Sequence, residues 1–243
     1  MKKVVFFPTF LFLSFLLFSC SSVPLSIEEN SPVVVFSVYG NSNVPWLRSN
    51  SSGEDEDDGT GILSTTINKA IDGNNPELLT ATDRLDYAEE SFHVLFDEIA
   101  GVKVVDRDDF LASEIYEGIK PGYLTALDSN VFASDFKKVS IVGRKTARMI
   151  MDELDAKSLI IAEFLFQKRP VGAGKNNQIE ALVTMKVHFY DVTGKQVFTK
   201  SYTASSAEKI PATGRKYDKG ALVDLFPDTI DAAISQFVVD LMN

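Results

Sequence analysis

Cysteine is nearly absent: Cys20 is the only one in 243 residues. An internal disulfide is thereby excluded, as are zinc sites built on several thiolates, and stability must come from the packed core. Histidine is almost as scarce. His93 and His188 are the only two, and neither has a second ligand three or four positions away, so the spacing of a helical metal site is missing. Both read as ordinary surface or rim residues. No Gly-x-Ser-x-Gly elbow occurs, which removes the commonest signature of a serine hydrolase. Carboxylates are plentiful, Glu163 among them, but no pair is marked out as acid and base.

Basic residues also run short, 24 against 34 acidic. Lys2 and Lys3 lie in the segment assigned below to a removable signal; without them 22 basic residues remain, a net charge of −12 over the 224 residues from Cys20 onward. Such a charge repels phosphates and anionic headgroups, so nucleic-acid binding and electrostatic attachment to a membrane surface are not expected. The densest acidic run is Glu54-Asp55-Glu56-Asp57-Asp58. It lacks the spaced ligands, central glycine and closing glutamate of an EF-hand loop and reads as a solvated loop. Gly172-Ala173-Gly174-Lys175 falls short of a phosphate loop in a similar way. Arg169 stands where the first glycine belongs, Asn176 where a Ser or Thr belongs, and the segment lies between two predicted strands. No metal, cofactor or catalytic residue is therefore expected.

What the sequence does hold begins at its amino end. Lys2 and Lys3 precede an apolar stretch, residues 4–18, and then the small Ser19, the three parts of an export signal. Pro8, Thr9 and Ser14 interrupt the stretch and no basic flank follows, which argues against a lasting span. Leu17-Phe18-Ser19-Cys20 resembles a bacterial lipobox, with Phe18 where a small residue is usual. The resemblance implies that residues 1–19 are a lipoprotein signal peptide and that Cys20 becomes an acylated first residue. At about 0.8 kcal/mol per buried methylene, two or three acyl chains anchor durably. Residues 20–31 are polar and suit a tether. Ser21 is not a retention aspartate, so the outer membrane is expected rather than the inner one.

Residues 32–243 read as a single α/β domain with a loop-rich insertion at about 41–80. Residues 33–39, closed by Gly40, are β-branched and apolar, a buried strand. Within the insertion, Ile62/Leu63, Thr66/Ile67 and Ala70/Ile71 suggest a short helix. Leu85, Ala88, Phe92, Leu95, Phe96 and Ile99 form the stripe of a longer helix, capped at Thr82 or Asp83 and stopped at Gly101. A short strand, 102–107, and a helix from Asp108 or Asp109 to Tyr116 are expected next. A helix at 143–154 leads to a strand at 158–166 whose apolar run, 159–162, predicts cover on both faces. Residues 181–190 alternate strictly, 191–195 make a turn and 196–204 return as the second strand of a hairpin. Lys186, His188 and Lys200 are placed on its outward face. Pro227 opens the last helix, with Ile230, Ile234, Phe237 and Leu241 inward. The expected fold is a three-layer mixed sheet flanked by helices, in the order β-α-β-α-α-β-β-β-α, with a long antiparallel hairpin.

Three segments together resemble a lipoprotein superfamily that includes CsgG-type secretion lipoproteins, LpoB-type activators of cell-wall synthases and the TolB amino-terminal domain. They are Val102-Lys103-Val104-Val105-Asp106-Arg107 between two helices, the helix from Val142 to Leu154 running into Ala156-Lys157-Ser158-Leu159-Ile160-Ile161, and Tyr190-Asp191-Val192-Thr193-Gly194-Lys195-Gln196-Val197. Lys157 and Ser158 replace the acid and aromatic of the family's strand motif, and Glu163 stands near its glycine. The resemblance implies a three-layer α/β domain that binds other proteins in the cell envelope, with no catalytic residues. A membrane pore would need further lipid-facing hairpins. The expected function is that of a lipid-anchored interaction or assembly factor. A ligand-binding lipoprotein and a hydrolase with an unmarked carboxylate site are the alternatives.

Overall fold

The computed structural model describes residues 28–47, 74–120, 130–172, 177–213 and 216–242. Strand β1, Val33–Asn41, is buried over its first eight residues because it lies inside the sheet, parallel to β3, Ser158–Val171. β3 runs antiparallel to β4, Gln178–Asp191, in unbroken register from Ser158↔Asp191 to Val171↔Gln178. β5, Gln196–Ser205, returns along β4, and the far end of β4 pairs with β6, Ile210–Thr213, which pairs with β7, Lys216–Tyr217. A three-residue strand, β2, Asn130–Phe132, pairs with the end of β1. The sheet is mixed, in the order β2-β1-β3-β4-β6-β7 with β5 also beside β4. Seven α-helices accompany it among the described residues: α1, Pro76–Leu79; α2, Ala81–Ala100; α3, Arg107–Leu111; α4, Glu114–Glu117; α5, Arg144–Glu153; α6, Lys219–Val223; and α7, Phe226–Leu241.

Period-two alternation assigns the two faces. Phe164 and Phe166 of β3, with Val183, Met185, Val187 and Phe189 of β4, face α2 and α7. There Phe92, Phe96, Phe198, Tyr202 and Phe237 meet in a chain of ring contacts with centroids 5.5–6.5 Å apart. Each buried aromatic of this kind contributes about 1.5–3 kcal/mol by removal from water, which makes this layer the centre of the core. The opposite face is covered over its first rungs only. Phe36 packs on Phe110 and Tyr116 from α3 and α4, and Ala147, Ile150 and Met151 bury the inner side of α5. Leu159 and Ile161 are fully buried, but Leu165, two rungs further, is 40% exposed. Helices thus flank both faces at one end of the sheet and one face at the other.

Several expectations need correction. Residues 102–107 form no strand: only Val104 bridges to Val33, through Val33 N donating to Lys103 O (2.9 Å) and Val105 N donating to Val33 O (2.8 Å). β2 takes the far end of that edge of β1, and Asp106 leaves the sheet line to cap α3, accepting from Asp108 N. The single helix expected to Tyr116 is two, because Ser113 caps a second one, accepting from Tyr116 N. Lys200 does not share a face with Lys186 and His188. A bulge after Phe189 places it opposite Val187, so its ammonium meets Asp240 of α7 instead. β6, β7, α1 and α6 were not expected, and the order is accordingly longer than β-α-β-α-α-β-β-β-α. The helix suggested within 62–71 lies outside the described residues. Both ends of the 41–80 insertion belong to the fold: Leu47 N donates to Lys168 O, and α1 lies at its other end.

Candidate functional site

Cys20, the run from Glu54 to Asp58 and residues 173–175 lie outside the described residues. Gly172, with φ of 88°, ends β3 just before the last of these. His93 sits on α2 with its Nε2 2.9 Å from Glu89 Oε1, one helical turn away. His188 lies on the uncovered face of β4, its Nδ1 3.0 Å from Thr199 Oγ1. Partial burial, and then the neighbouring Lys186 charge, hold its pKa below the usual histidine value. Glu163 faces Lys186 across the β3–β4 pair. Glu163 and Lys186 thus lie beside His188 on β3 and β4, the Glu163 charge opposing that of Lys186, while His93 lies apart on α2. No group of three His, Cys, Asp or Glu able to hold a metal ion occurs among the described residues.

The carboxylates that do cluster are engaged with one another's counter-charges. An open groove of about 550 Å³ along α2 is lined by Asp83, Asp86, Glu89, Glu90 and Asp106. Arg107 enters it, 3.5 Å from Glu89 and 3.9 Å from both Asp86 and Asp135, and donates to Ser134 O. Asp86 accepts from Ser134 N and Oγ, both at 2.6 Å. Arg107 thus ties α2, α3 and the residues after β2 together.

A second cluster escaped sequence reasoning because its members are far apart in the chain. Lys168, near the end of β3, places its Nζ 3.1 Å from both carboxylate oxygens of Glu77, and both side chains are buried. Tyr217 Oη donates to Glu77 Oε1 at 2.5 Å, and the rings of Trp46 and Tyr217 flank the ammonium at 5.3 and 5.1 Å. Beside it, Arg84 is buried over Phe166 and Phe226 and donates to Glu77 O; burial lowers its pKa to about 10. The enclosed cluster joins α1, the residues after β1, β3 and β7.

The surface best suited to contact something outside the molecule lies where α4, α5 and the β4–β5 turn meet. Ile141 is 77%, Met149 40% and Val192 46% exposed. Beside them an open groove of about 450 Å³ is lined mostly by apolar side chains from α4, α5 and residues 139–142, with Glu114 its one carboxylate among the described residues. Its walls are held by polar contacts. Glu153 accepts from Ser113 Oγ (2.5 Å), Glu114 N (2.8 Å) and Ile115 N (3.3 Å), closing the amino end of α4. The Ser113 hydroxyl, then the two amides, hold the Glu153 carboxyl below its usual range. Arg144 donates to Thr193 O and Oγ1, both at 3.2 Å, joining α5 to the turn. Gly194 makes that approach possible: its φ is 73°, and a Cβ there would lie 2.1 Å from Arg144 O. The turn itself was legible as Asp191-Val192-Thr193-Gly194-Lys195; its docking on α5 was not.

The charge of α5 is inverted. A helix favours acids at its amino end and bases at its carboxyl end. α5 has no acid in its first turn and no base in its last, opening with Arg144 and Lys145 and closing with Asp152 and Glu153.

No known protein family matches the chain, and no curated protein matches it in sequence. Among solved structures, it is similar to the LpoB C-terminal domain from Salmonella enterica, with 13% identity over 72% of this chain and 82% of that one, at a TM-score of 0.28. It is also similar to the hypothetical protein CT253 from Chlamydia trachomatis, with 12% identity over 85% and 96% of the two chains, at a TM-score of 0.29. A candidate lipoprotein from Caulobacter crescentus shares 15% identity over 43% of this chain and 85% of its own, at a TM-score of 0.22. These are distant likenesses, and the functional argument rests on the chain's own residues.

Proposed function

We propose that the protein is a lipid-anchored, non-catalytic component of a bacterial cell envelope that binds another protein there. The observation that carries this reading is the position of Cys20, the sole cysteine, at the end of an apolar stretch and a dozen residues before the first strand. Among the described residues no helix is long and apolar enough to cross a membrane. A non-catalytic role is supported by the state of the clustered carboxylates: Glu77, Asp86, Glu89, Glu153 and Asp240 each hold a structural contact in place.

Detergent phase partitioning of the native protein beside a Cys20→Ala variant tests the anchor. The native protein is expected in the detergent phase and the variant in the aqueous phase. Crosslinking of the anchored form within its own envelope is then expected to give a discrete heteromeric band. Equal aqueous partitioning of both proteins contradicts the anchor; an anchored protein that yields no crosslinked species contradicts the role in protein binding.

A further inference from the structure

The net charge of the chain conceals one locally basic corner. The layer of α2 and α7 carries six and three carboxylates respectively, against a single arginine, the buried Arg84. Across the sheet, the amino half of α5 and its surroundings expose Lys138, Arg144, Lys145, Arg148 and Lys195 around the apolar Ile141, Met149 and Val192, while the acids Asp152 and Asp155 lie toward the other end of the helix. Arg148 is shared with Asp152 at 3.4 Å, while Lys138, Lys145 and Lys195 form no ion pair among the described residues. The amino end of α5 adds its own positive potential to these side chains instead of being neutralised by an acid. An arrangement that opposes local stability on a surface is the kind expected where function sets the sequence.

This corner is also where the chain leaves toward its tether. Ser158 Oγ donates to Asn30 O, and Lys157 N donates to Pro32 O, so the residues before β1 lie against the segment joining α5 to β3. The β4–β5 turn, held by Arg144, is paired to the same point through Ser158↔Asp191. From Cys20 to residue 27, eight residues extend at most about 28 Å. A bilayer holding lipid on Cys20 therefore lies within reach of the basic corner, while the acidic α2–α7 layer lies on the sheet's other face.

We infer that the α5 corner docks on an anionic bilayer surface, with Ile141, Met149 and Val192 entering the headgroup region and Arg144, Lys145, Arg148 and Lys195 meeting lipid phosphates, so that the domain is oriented and not merely tethered. The inference rests on the lipid-anchor reading for its geometry. The acyl chains supply the attachment and the basic patch adds orientation, its electrostatic part acting within a Debye length, about 8 Å at physiological salt.

The test uses the native lipidated protein carrying Met149→Cys, labelled with an environment-sensitive fluorophore, on vesicles of phosphatidylcholine with or without 30% phosphatidylglycerol. Val94→Cys, 45% exposed on α2, is the control from the acidic layer. The label at position 149 is expected to be shielded from aqueous iodide and quenched by brominated lipid on the anionic vesicles only, with the effect lost at about 0.5 M salt. In a Lys145→Glu/Arg148→Glu background the shielding is expected to disappear while the protein stays on the vesicles, and the label at position 94 is expected to remain in water throughout. A label at position 149 that stays fully accessible to iodide on anionic vesicles overturns the docking, whatever else the patch binds. Failure of the anchor is read separately: the protein without an engineered cysteine then takes up fluorophore at Cys20 and does not float with vesicles. In that case the Cys20→Ala protein bearing the label at 149 must still bind phosphatidylglycerol vesicles about tenfold or more tightly than the charge-reversed variant; equal binding overturns the inference.

Discussion

The two faces of the sheet are held by different means. Toward α2 and α7 the contact is large and aromatic: Phe237 alone meets Phe92, Phe96, Phe198 and Tyr202. Toward α5 it is small, and point contacts complete it: Arg144 on Thr193, Glu153 on Ser113, and the bare backbone of Gly194. The first face serves stability, since its charged groups pair across elements, at the rim as Tyr87 and Ser91 do with Asp231 and Lys200 with Asp240, or buried as Glu77 and Lys168 are. The second carries exposed apolar side chains and a helix whose charges oppose its dipole. A surface that gives up local stability in this way is the one to examine for contacts with something else.

The largest blow to the first face is Phe237→Ala, expected to cost about 3–5 kcal/mol in urea unfolding, since a fully buried ring shared by two helices and β5 leaves a cavity. Lys168→Met is expected to cost a similar 3–5 kcal/mol because buried Glu77 loses its ion-pair partner and keeps only Tyr217 as side-chain donor, with Arg84 beside it; adding Glu77→Gln should recover part of the loss. If the single and double variants unfold alike, the cluster does not act as an ion pair.

On the second face the effects are smaller. Gly194→Ala is expected to destabilise by about 1–3 kcal/mol and to raise hydrogen exchange in α5 and the β4–β5 turn before it does so in β3, because the new methyl meets the Arg144 carbonyl. Lys145→Glu is expected to stabilise the lipid-free protein by about 0.3–1 kcal/mol in thermal unfolding, by placing an acid at the amino end of α5. Destabilisation by that change would show that the inverted charge is not a local liability and would remove the contrast between the faces. Acid should probe both faces at once. Asp240, held low first by Lys200 and then by Tyr202, and Glu153, held low first by Ser113, both have depressed folded pKa values. Their stabilising contributions are full above the ordinary carboxylate range and are lost as the pH falls through the depressed values. Side-chain carboxyl shifts followed by NMR should give both midpoints below those of unfolded peptides, and Asp240→Asn and Glu153→Gln variants should each flatten the acid limb of stability against pH.

Much of the core was legible because it is periodic. The stripe from Leu85 to Ile99, the run from Leu159 to Ala162 and the alternation from Val183 to Phe189 correspond to α2, the centre of β3 and the centre of β4. What was not legible is short or depends on distant partners. β2, β6 and β7 have at most four residues each, too few for a period to appear. One bulge after Phe189 was enough to move Lys200 to the other face. The joining of Glu77, Lys168 and Tyr217 crosses 140 residues of sequence and leaves no mark in spacing.

The anchor is the claim on which function and orientation both depend, and intact-mass spectrometry of the protein purified from its own membranes tests it most directly. The account predicts a chain beginning at Cys20 and heavier than residues 20–243 by a diacylglyceryl group, with or without a third acyl chain. A mass equal to that of an unmodified chain, beginning at Met1 or at any later residue, would contradict it.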